Sequence, residues 1–280
     1  MIALAGIVLA RRWRPAILLV LAAATSAQFW RIYPYVPFAA VEVADDATTP
    51  GVDPASCFKV LGLNVLQHNR DYAATIATIA TIDRERPDVL LLMETDQPWA
   101  KALAPVLARY PHRLLRPIDN TYGLIFATTL PVDQARTKNI TDQNTPTVYA
   151  RLRTRGGQPF DYIGLHPRPP IAGEDTNLRD RKIEHAALRI AGAKVPAMAM
   201  GDFNDVAWSR TTQLFKRVGG YLDPRIGRGS YPSFPAQYAA VGWPLDQLFV
   251  SKAFTSGRCG YWQTSAPIIG RSPRTCAWRR

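Results

Sequence analysis

The chain has few cysteines and histidines, and neither residue type is spaced as in a metal site. Among 280 residues there are three cysteines and four histidines. The cysteines, at positions 57, 259 and 276, do not form a zinc-binding pattern, so a cysteine-based zinc site is excluded. So few cysteines neither require nor exclude an oxidising compartment. A disulfide between Cys57 and Cys259 is an open alternative.

Acidic residues are missing from both ends of the chain, and this accounts for most of its positive charge. Residues 1–31 and residues 271–280 each contain four arginines and no acid. Removing these eight charges from the net charge of +12 leaves +4 for the middle of the chain. The middle is only mildly basic. Nucleic acid therefore stays a possible partner that the core charge does not indicate.

Long apolar runs are confined to the amino-terminal region. Residues 2–10 are apolar but too short to span a bilayer. After an arginine cluster, the segment Pro15–Trp30 has sixteen residues without a charge. Tyr33 and Tyr35 follow, as in an interfacial aromatic belt. The pattern predicts membrane contact through residues 15–38.

Two interpretations of this segment remain open. One is a membrane anchor, and the other is a signal peptide cleaved near Ala27. Both place the rest of the chain on the extracytoplasmic side of the cytoplasmic membrane, because the arginines orient them in the same way. The anchor is favoured because the apolar character continues to Phe38.

The rest of the chain is organised as one large domain. We predict an anchor segment at 1–40, a linker at 41–56, a folded domain at 57–270 and an atypical arginine-rich tail at 271–280. Within the domain, short apolar runs alternate with segments of helical periodicity. Such mixing predicts an α/β fold in which sheets pack together with helices outside.

Polar residues suited to chemistry lie at the ends of several predicted strands. They are Asn64, Glu94, His166, the pair Asp202 and Asn204, and Asp246. Taken singly, each is commonly a cap or turn residue. Their recurrence predicts an active site, since α/β sheets build sites at the carboxyl ends of strands. An Asp and an Asn two positions apart can serve one phosphate as proton acceptor and neutral donor.

Six short pieces carry a resemblance to a known family. In chain order they are Leu63-Asn64-Val65, Leu91-Leu92-Met93-Glu94, Tyr122-Gly123-Leu124-Ile125, Gly164-Leu165-His166-Pro167, Gly201-Asp202-Phe203-Asn204 and Leu245 to Ser251. Over about residues 58–270 the chain resembles the endonuclease/exonuclease/phosphatase family, which includes deoxyribonuclease I. The anchor and the His-Pro-Arg-Pro-Pro at 166–170 look like a bacterial, membrane-anchored branch of it.

The resemblance implies a two-sheet, four-layer α/β sandwich and metal-dependent hydrolysis of a phosphoester. Glu94 would be the principal ligand of Mg²⁺, with Asn64 beside it and Mn²⁺ as a possible substitute. Tyr122 and Arg168 would contact the substrate. A nucleic acid, a lipid headgroup and a small phosphoester all fit this description.

The resemblance also implies catalytic roles. Asp202 would position or deprotonate the attacking water, while Asn204 and His166 would donate to non-bridging phosphate oxygens. Asp246 would orient a histidine supplied by the family's last motif.

That last motif, Ser-Asp-His before the final strand, is missing. After Gly270 the chain reads Arg-Ser-Pro-Arg-Thr-Cys-Ala-Trp-Arg-Arg. A reading-frame change after Gly270 is one hypothesis for this abrupt end. We expect the final strand to be lost and the rate to fall by about 10²–10⁴, the usual contribution of a general acid–base group. A non-catalytic descendant that binds a phosphorylated ligand or a partner is the alternative function.

Overall fold

The computed structural model describes residues 14–45, 51, 53–68, 72–141, 144–169, 176–234, 242–256, 259–261 and 269–276. In these residues the strands are, in chain order, β1 (Cys57–Asn64), β2 (Val89–Met93), β3 (His112–Arg116), β4 (Leu124–Thr128), β5 (Val132–Asn139), β6 (Pro146–Arg153), β7 (Pro159–Leu165), β8 (Ala197–Asp202), β9 (Asp246–Val250), β10 (Cys259–Tyr261) and β11 (Ile269–Cys276). The helices are α1 (Arg14–Ile32), α2 (Tyr72–Glu85), α3 (Gln97–Leu107), α4 (Asn177–Leu188) and α5 (Arg210–Gly219), with 3₁₀ turns at Tyr33–Tyr35 and Pro54–Ser56.

The strands form two sheets, as predicted. The first has the order β10-β11-β1-β2-β4-β3 and the second the order β5-β6-β7-β8-β9. Each sheet contains one parallel pair, β1 with β2 and β7 with β8. The strands of each pair are joined through a helix, α2 in the first sheet and α4 in the second. Such crossovers bring the carboxyl ends of the joined strands to one edge of their sheet.

Three apolar clusters hold the layers together. The first lies between the sheets and includes Phe58, Phe126 and Tyr162. The second packs α2 and α3 on the outer face of the first sheet, and the third packs α4 and α5 on the outer face of the second. The central strands are therefore buried on both faces, which explains their continuous apolar runs. The result is the four-layer sandwich, helix–sheet–sheet–helix.

The carboxyl-terminal segment corrects one prediction. The expected loss of the final strand is wrong, because β11 pairs antiparallel with β1 from Asn64–Ile269 to Cys57–Cys276. Strand pairing uses backbone groups, so an arginine-rich sequence can supply it without an apolar run. The edge of β1 is covered by residues that were predicted to be a tail.

Cys57 is not part of a disulfide. Cys57 is a free thiol whose Sγ lies 3.8 Å from the backbone oxygen of Asp53. The alternative of a Cys57–Cys259 bridge is therefore wrong. In β1 the backbone of Cys57 faces Cys276 of β11 rather than any residue of β10.

The amino-terminal helix is apolar and exposed. The segment Pro15–Tyr35 has a mean hydropathy of 1.4 and is long enough to cross a membrane. None of its most apolar window is buried against the rest of the chain. Length and composition fit both an anchor and a signal sequence.

Part of the predicted linker packs into the domain. Val43 is fully buried in the cluster between the sheets. Glu42 Oε2 accepts from Lys216 Nζ at 2.7 Å and from the backbone N–H of Asp223 at 2.6 Å. The backbone N–H of Ser256 donates to Ala44. Residues 42–44 of the predicted linker therefore pack against the folded domain.

Gly227 allows the segment after α1 to approach the domain closely, and this yields a prediction. Its N–H donates to the oxygen of Pro34 at 2.9 Å, its φ is 76°, and a Cβ there would lie 2.6 Å from the oxygen of Ala39. We expect Gly227→Ala to lower the free energy of unfolding by about 2–5 kcal/mol, the sum of left-handed strain and overpacking.

Gly157→Ala is the matched control. Gly157 also has a positive φ, of 86°, but a Cβ there meets no atom within 4 Å. Gly157→Ala should lower the free energy of unfolding by the backbone strain alone, about 1–2 kcal/mol. Chemical denaturation of both variants measures the difference. Equal losses would contradict the tight docking of residues 34–41.

Candidate active site

Both sheets contribute side chains to one cluster. Asn64 ends β1 and Glu94 follows β2 in the first sheet, while His166 follows β7 and Asp202 ends β8 in the second. These are the carboxyl ends of the two parallel pairs, where α/β folds place their sites. Because the sheets pack face to face, residues separated by up to 138 positions meet at one edge of the sandwich.

The side chain of Asn64 joins two carboxylates. Its Nδ2 donates to Glu94 Oε1 at 2.7 Å and to Asp202 Oδ2 at 3.2 Å. Its Oδ1 accepts from the backbone N–H of Leu66 at 3.0 Å, which fixes the orientation of the amide. A carboxylate from each sheet is thereby held against a single buried amide group.

The backbone conformation sets the direction of the Glu94 and Asp202 side chains. Glu94 has a φ of 59°, and such a left-handed conformation costs a residue with a side chain about 1–2 kcal/mol. Gly201, just before Asp202, is required by close approach, since a Cβ there would lie 1.8 Å from the oxygen of Leu165. The glycine of the Gly-Asp-Phe-Asn piece thus allows β8 to pass directly beside the end of β7.

Asn204 connects the aspartate to the histidine. Its N–H donates to Asp202 Oδ1 at 2.8 Å, and its Nδ2 donates to the oxygen of Pro167 at 2.9 Å. The same Nδ2 lies 3.2 Å from His166 Nε2, which makes that nitrogen the acceptor. Since Asn204 uses its amide within the protein here, its donation to a phosphate oxygen stays a prediction.

His166 is buried and neutral near pH 7. Burial is the main cause that lowers its pKa from 6.5 to about 4. Glu94, whose Oε1 lies 4.0 Å from Nε2, opposes this shift, and Lys182 adds to it. The Nδ1 atom has no hydrogen-bond partner among the described residues. With Nε2 accepting from Asn204, the single proton of the neutral imidazole lies on Nδ1, so donation by His166 to a phosphate stays a prediction.

Asp246 lies beside Asp202. The two are directly paired across β8 and β9. The N–H of Asp246 donates to Ser233 Oγ at 3.1 Å, and its backbone oxygen accepts from Arg225 Nη1 at 3.2 Å. No histidine and no acid follows Asp246 in the sequence. The predicted orienting role of Asp246 therefore has no partner in the carboxyl-terminal segment.

Tyr122 and Arg168 lie next to His166. The ring of Tyr122 is 5.7 Å from the imidazole, and the guanidinium of Arg168 lies 5.4 Å from the centre of the Tyr122 ring. A cation held over an aromatic face has a restricted position. All eight residues proposed from the sequence are thus linked, although contact of these two with substrate stays a prediction.

Sequence reasoning missed two buried residues of this region. Gln67 donates through its backbone N–H to Glu94 Oε2 at 3.3 Å, and its side chain binds Asp119 and the N–H of Thr121. Lys182, only 1 % exposed, donates through Nζ to three carbonyl oxygens, those of Thr145, Pro146 and His166. Nothing in the sequence distinguishes Lys182, since it lies in a helix rich in charged residues.

The donor atoms fit a hard divalent cation. Two carboxylates that share one amide repel each other, and a cation beside them would offset the repulsion. Carboxylate oxygens are ligands that Mg²⁺ accepts, so Glu94 and Asp202 suit it, whereas Asn64 presents its Nδ2 to them and stands beside the ion rather than ligating it in this orientation. Within the described ranges, no group of three or more His, Cys, Asp or Glu side chains is placed to hold a metal ion.

Comparisons with known proteins agree with the family and the fold. A sequence model of the Endonuclease/Exonuclease/phosphatase family matches residues 61–268, and the chain belongs to this family. The family name covers nucleases and phosphatases, and one of the similar solved structures is a mannosyl-6-phosphatase. No curated protein sequence matches the chain significantly.

Solved structures share the fold at low sequence identity. A humanized TDP2 of D. rerio has a TM-score of 0.64 and 15 % identity, covering 78 % of this chain and 98 % of its own. A mannosyl-6-phosphatase of Bacteroides thetaiotaomicron has a TM-score of 0.61 and 15 % identity, covering 78 % and 99 %. The beta toxin of Staphylococcus aureus has a TM-score of 0.53 and 13 % identity, covering 79 % and 100 %.

The low pKa of His166 predicts a dependence of stability on pH. Between pH about 4 and 6.5 the unfolded chain binds a proton that the folded chain excludes. Stability contributed by the neutral imidazole is therefore lost as the pH falls through this window. We expect the Tm of the His166→Gln variant to fall less steeply than the Tm of the parent as the pH is lowered, when both are measured in EDTA. An exposed-site control, His112→Gln, should keep the slope of the parent, and an unchanged slope in His166→Gln would contradict the assignment.

The buried hydrogen bonds of Lys182 lead to a second prediction about stability. Lys182→Met keeps the length of the side chain but removes the donor of three buried carbonyls. We expect it to cost about 3 kcal/mol or more, since each of the three unsatisfied buried acceptors costs about 1–3 kcal/mol. Arg181→Met, the exposed neighbour in α4, should stay within about 0.5 kcal/mol of the parent in urea unfolding. A Lys182→Met variant as stable as Arg181→Met would contradict this role.

Proposed function

We propose that the protein is a membrane-anchored, divalent-metal-dependent phosphoester hydrolase. The observation that carries the proposal is the meeting of Asn64, Glu94, His166, Asp202 and Asn204 in one hydrogen-bonded cluster between the sheets. Family membership supports the reaction class, and the oxygen donors support the metal. The anchor is α1, with the domain on the extracytoplasmic side of the cytoplasmic membrane.

In this proposal Glu94 would hold Mg²⁺ with Asn64 beside it, and Mn²⁺ could replace it. When bound, the cation would polarise the phosphoryl group and neutralise charge on its oxygens. Asp202 accepts a proton from the attacking water. His166 and Asn204, which contact each other in the free protein, would exchange that contact for hydrogen bonds to the non-bridging oxygens, which gain charge in the transition state. Burial strengthens these interactions because water does not screen them.

The missing Ser-Asp-His motif sets the expected rate. Without its aspartate the cation has one anionic ligand fewer, and without its histidine one acid–base group is absent. A general acid–base group contributes about 10²–10⁴ to a rate. We therefore propose slow turnover for this chain.

A non-catalytic role is the second candidate. The absence of any acid or histidine after Asp246 favours it, because the family's last catalytic pair has no substitute in that segment. Such a protein would bind a phosphorylated ligand or a partner in the same cleft without cleaving it.

Substitution of Glu94 tests the proposal. With Mg²⁺, the full chain should hydrolyse bis(p-nitrophenyl) phosphate slowly, and EDTA should stop it. Glu94→Gln keeps the shape of the side chain but removes its charge. We expect kcat/KM to fall by about 10²-fold or more, as when a group that stabilises transition-state charge is lost.

Glu184→Gln, an exposed substitution in α4, is the matched control and should leave the rate unchanged. Turnover that survives Glu94→Gln would contradict the proposed site. No turnover by the parent chain, together with saturable binding of inorganic phosphate, would support the non-catalytic candidate instead.

A further inference from the structure

A cavity separate from the candidate active site lies on the outer face of the second sheet. Its volume is about 290 Å³, close to the lower end of the range that is usual for small-molecule sites. It is lined by residues of β5, β6 and β7 and by residues just after the end of α4, among them Arg136, Tyr149, Arg151, Asp161 and Arg189. None of the eight residues proposed from the sequence lines it.

The cavity and the cleft use different faces of the same strands. Tyr149 of β6 is paired with Ile163 of β7, three residues before His166. A strand rises about 3.3 Å per residue, so this pair lies about 10 Å along β7 from the histidine. Tyr149 and Ile163 belong to the apolar cluster on the outer face, whereas His166 approaches Glu94 of the opposite sheet. One small ligand therefore could not occupy both places.

The lining of the cavity is positively charged. It contains three arginines and one acid, Asp161, which leaves a net charge of +2. Both carboxylate oxygens of Asp161 accept from Arg151, at 2.8 Å from Nε and 2.9 Å from Nη2. Arg136 and Arg189 form no ion pair with any described residue. Two guanidinium groups at the cavity are therefore available to an anion.

The cavity also contains a buried hydroxyl group that lacks a partner. Tyr149 is only 7 % exposed, and its Oη has no hydrogen-bond partner among the described residues. The guanidinium of Arg189 lies 4.9 Å from the centre of its ring. Burial raises the pKa of Tyr149 to about 12, although Arg189 opposes the shift, so the hydroxyl keeps its proton near pH 7. Buried donors without an acceptor are uncommon, and an oxyanion in the cavity would supply one.

The end of α4 offers an anion little repulsion. The carboxyl end of a helix carries partial negative charge on its free carbonyl groups. Here the oxygen of His185 accepts from the N–H of Arg189, and the oxygen of Ala187 accepts from the N–H groups of Ile190 and Ala191. Both groups that would oppose an anion, this helix end and Asp161, are therefore already compensated.

We propose that this cavity binds a phosphate monoester group, with Arg136 and Arg189 pairing with its oxygens and the hydroxyl of Tyr149 donating to it. A phosphate monoester carries close to two negative charges at neutral pH, which matches the net charge of the lining, whereas a carboxylate or a phosphodiester carries one. Guanidinium groups also match the spacing of phosphate oxygens. The site is independent of the proposed hydrolase function.

Calorimetric titration with inorganic phosphate tests the site. The full chain in neutral detergent is titrated at pH about 8, where phosphate is a dianion. EDTA is present, so that the metal-free carboxylates of Glu94 and Asp202 repel phosphate from the active site. One phosphate should bind per chain. Arg136→Gln/Arg189→Gln should weaken the Kd by about tenfold or more, because charge-assisted hydrogen bonds are lost.

Tyr149→Phe should weaken the Kd by about threefold, as expected for one neutral hydrogen bond. Its matched control is Tyr221→Phe, because the hydroxyl of Tyr221 is also buried and unpartnered among the described residues but does not line the cavity. Both variants should keep the stability of the parent, since each removes a hydroxyl without a partner.

Arg181→Gln/Arg217→Gln is the control for net charge. Both arginines are exposed, on α4 and α5, and neither lines the cavity. This variant should bind phosphate as the parent does. Absence of saturable binding in the parent, or an equal loss in the two double variants, would overturn the proposal.

Two further comparisons identify the place and the source of the phosphate. His166→Gln should keep the affinity of the parent, and loss of binding in it would place the phosphate in the active site and overturn the second site while the hydrolase stands. Glycerol 3-phosphate and phosphatidic acid in the same micelles are then tested as competitors. Displacement by glycerol 3-phosphate identifies a soluble phosphoester, and displacement by phosphatidic acid alone identifies a lipid headgroup. Displacement by neither contradicts a monoester site.

Discussion

One amide group, the side chain of Asn64, joins the two halves of the candidate site. It donates to Glu94 from its own sheet and to Asp202 from the opposite sheet. Without it, two carboxylates would face each other across the sandwich with one fewer hydrogen-bond donor between them, which is costly in a partly buried place. The position of His166 follows from the same arrangement, because Asn204 is bound to both Asp202 and His166.

The fold creates this meeting point by repeating one unit. Each sheet contains a parallel pair joined through a helix, and each pair delivers two polar residues where its strands end. Packing the sheets through the apolar cluster between them brings the two strand ends together. The helices α2 and α4 pack on the outer faces of the two sheets and so help to fix these strand ends.

Much of the site could be predicted from the sequence, because β1, β2, β7 and β8 are buried on both faces and read as apolar runs that end in polar residues. Other features depend on packing that leaves no such signal. The edge strand β5 exposes most of its side chains and has few apolar residues. The strand β11 pairs through its backbone despite its arginines. Lys182 is buried within a charged helix, and residues 42–44 pack without any periodic pattern.

Binding of a divalent cation tests the central claim most directly, because it does not require turnover or a known substrate. Purified full-length chain is titrated with Mn²⁺ and followed by electron paramagnetic resonance. The account predicts one saturable site per chain, displaced by Mg²⁺ and lost in an Asp202→Asn/Glu94→Gln double variant. Absence of saturable binding in the parent, or binding that the double variant retains, would contradict the claim that these carboxylates form a metal-dependent phosphoester site.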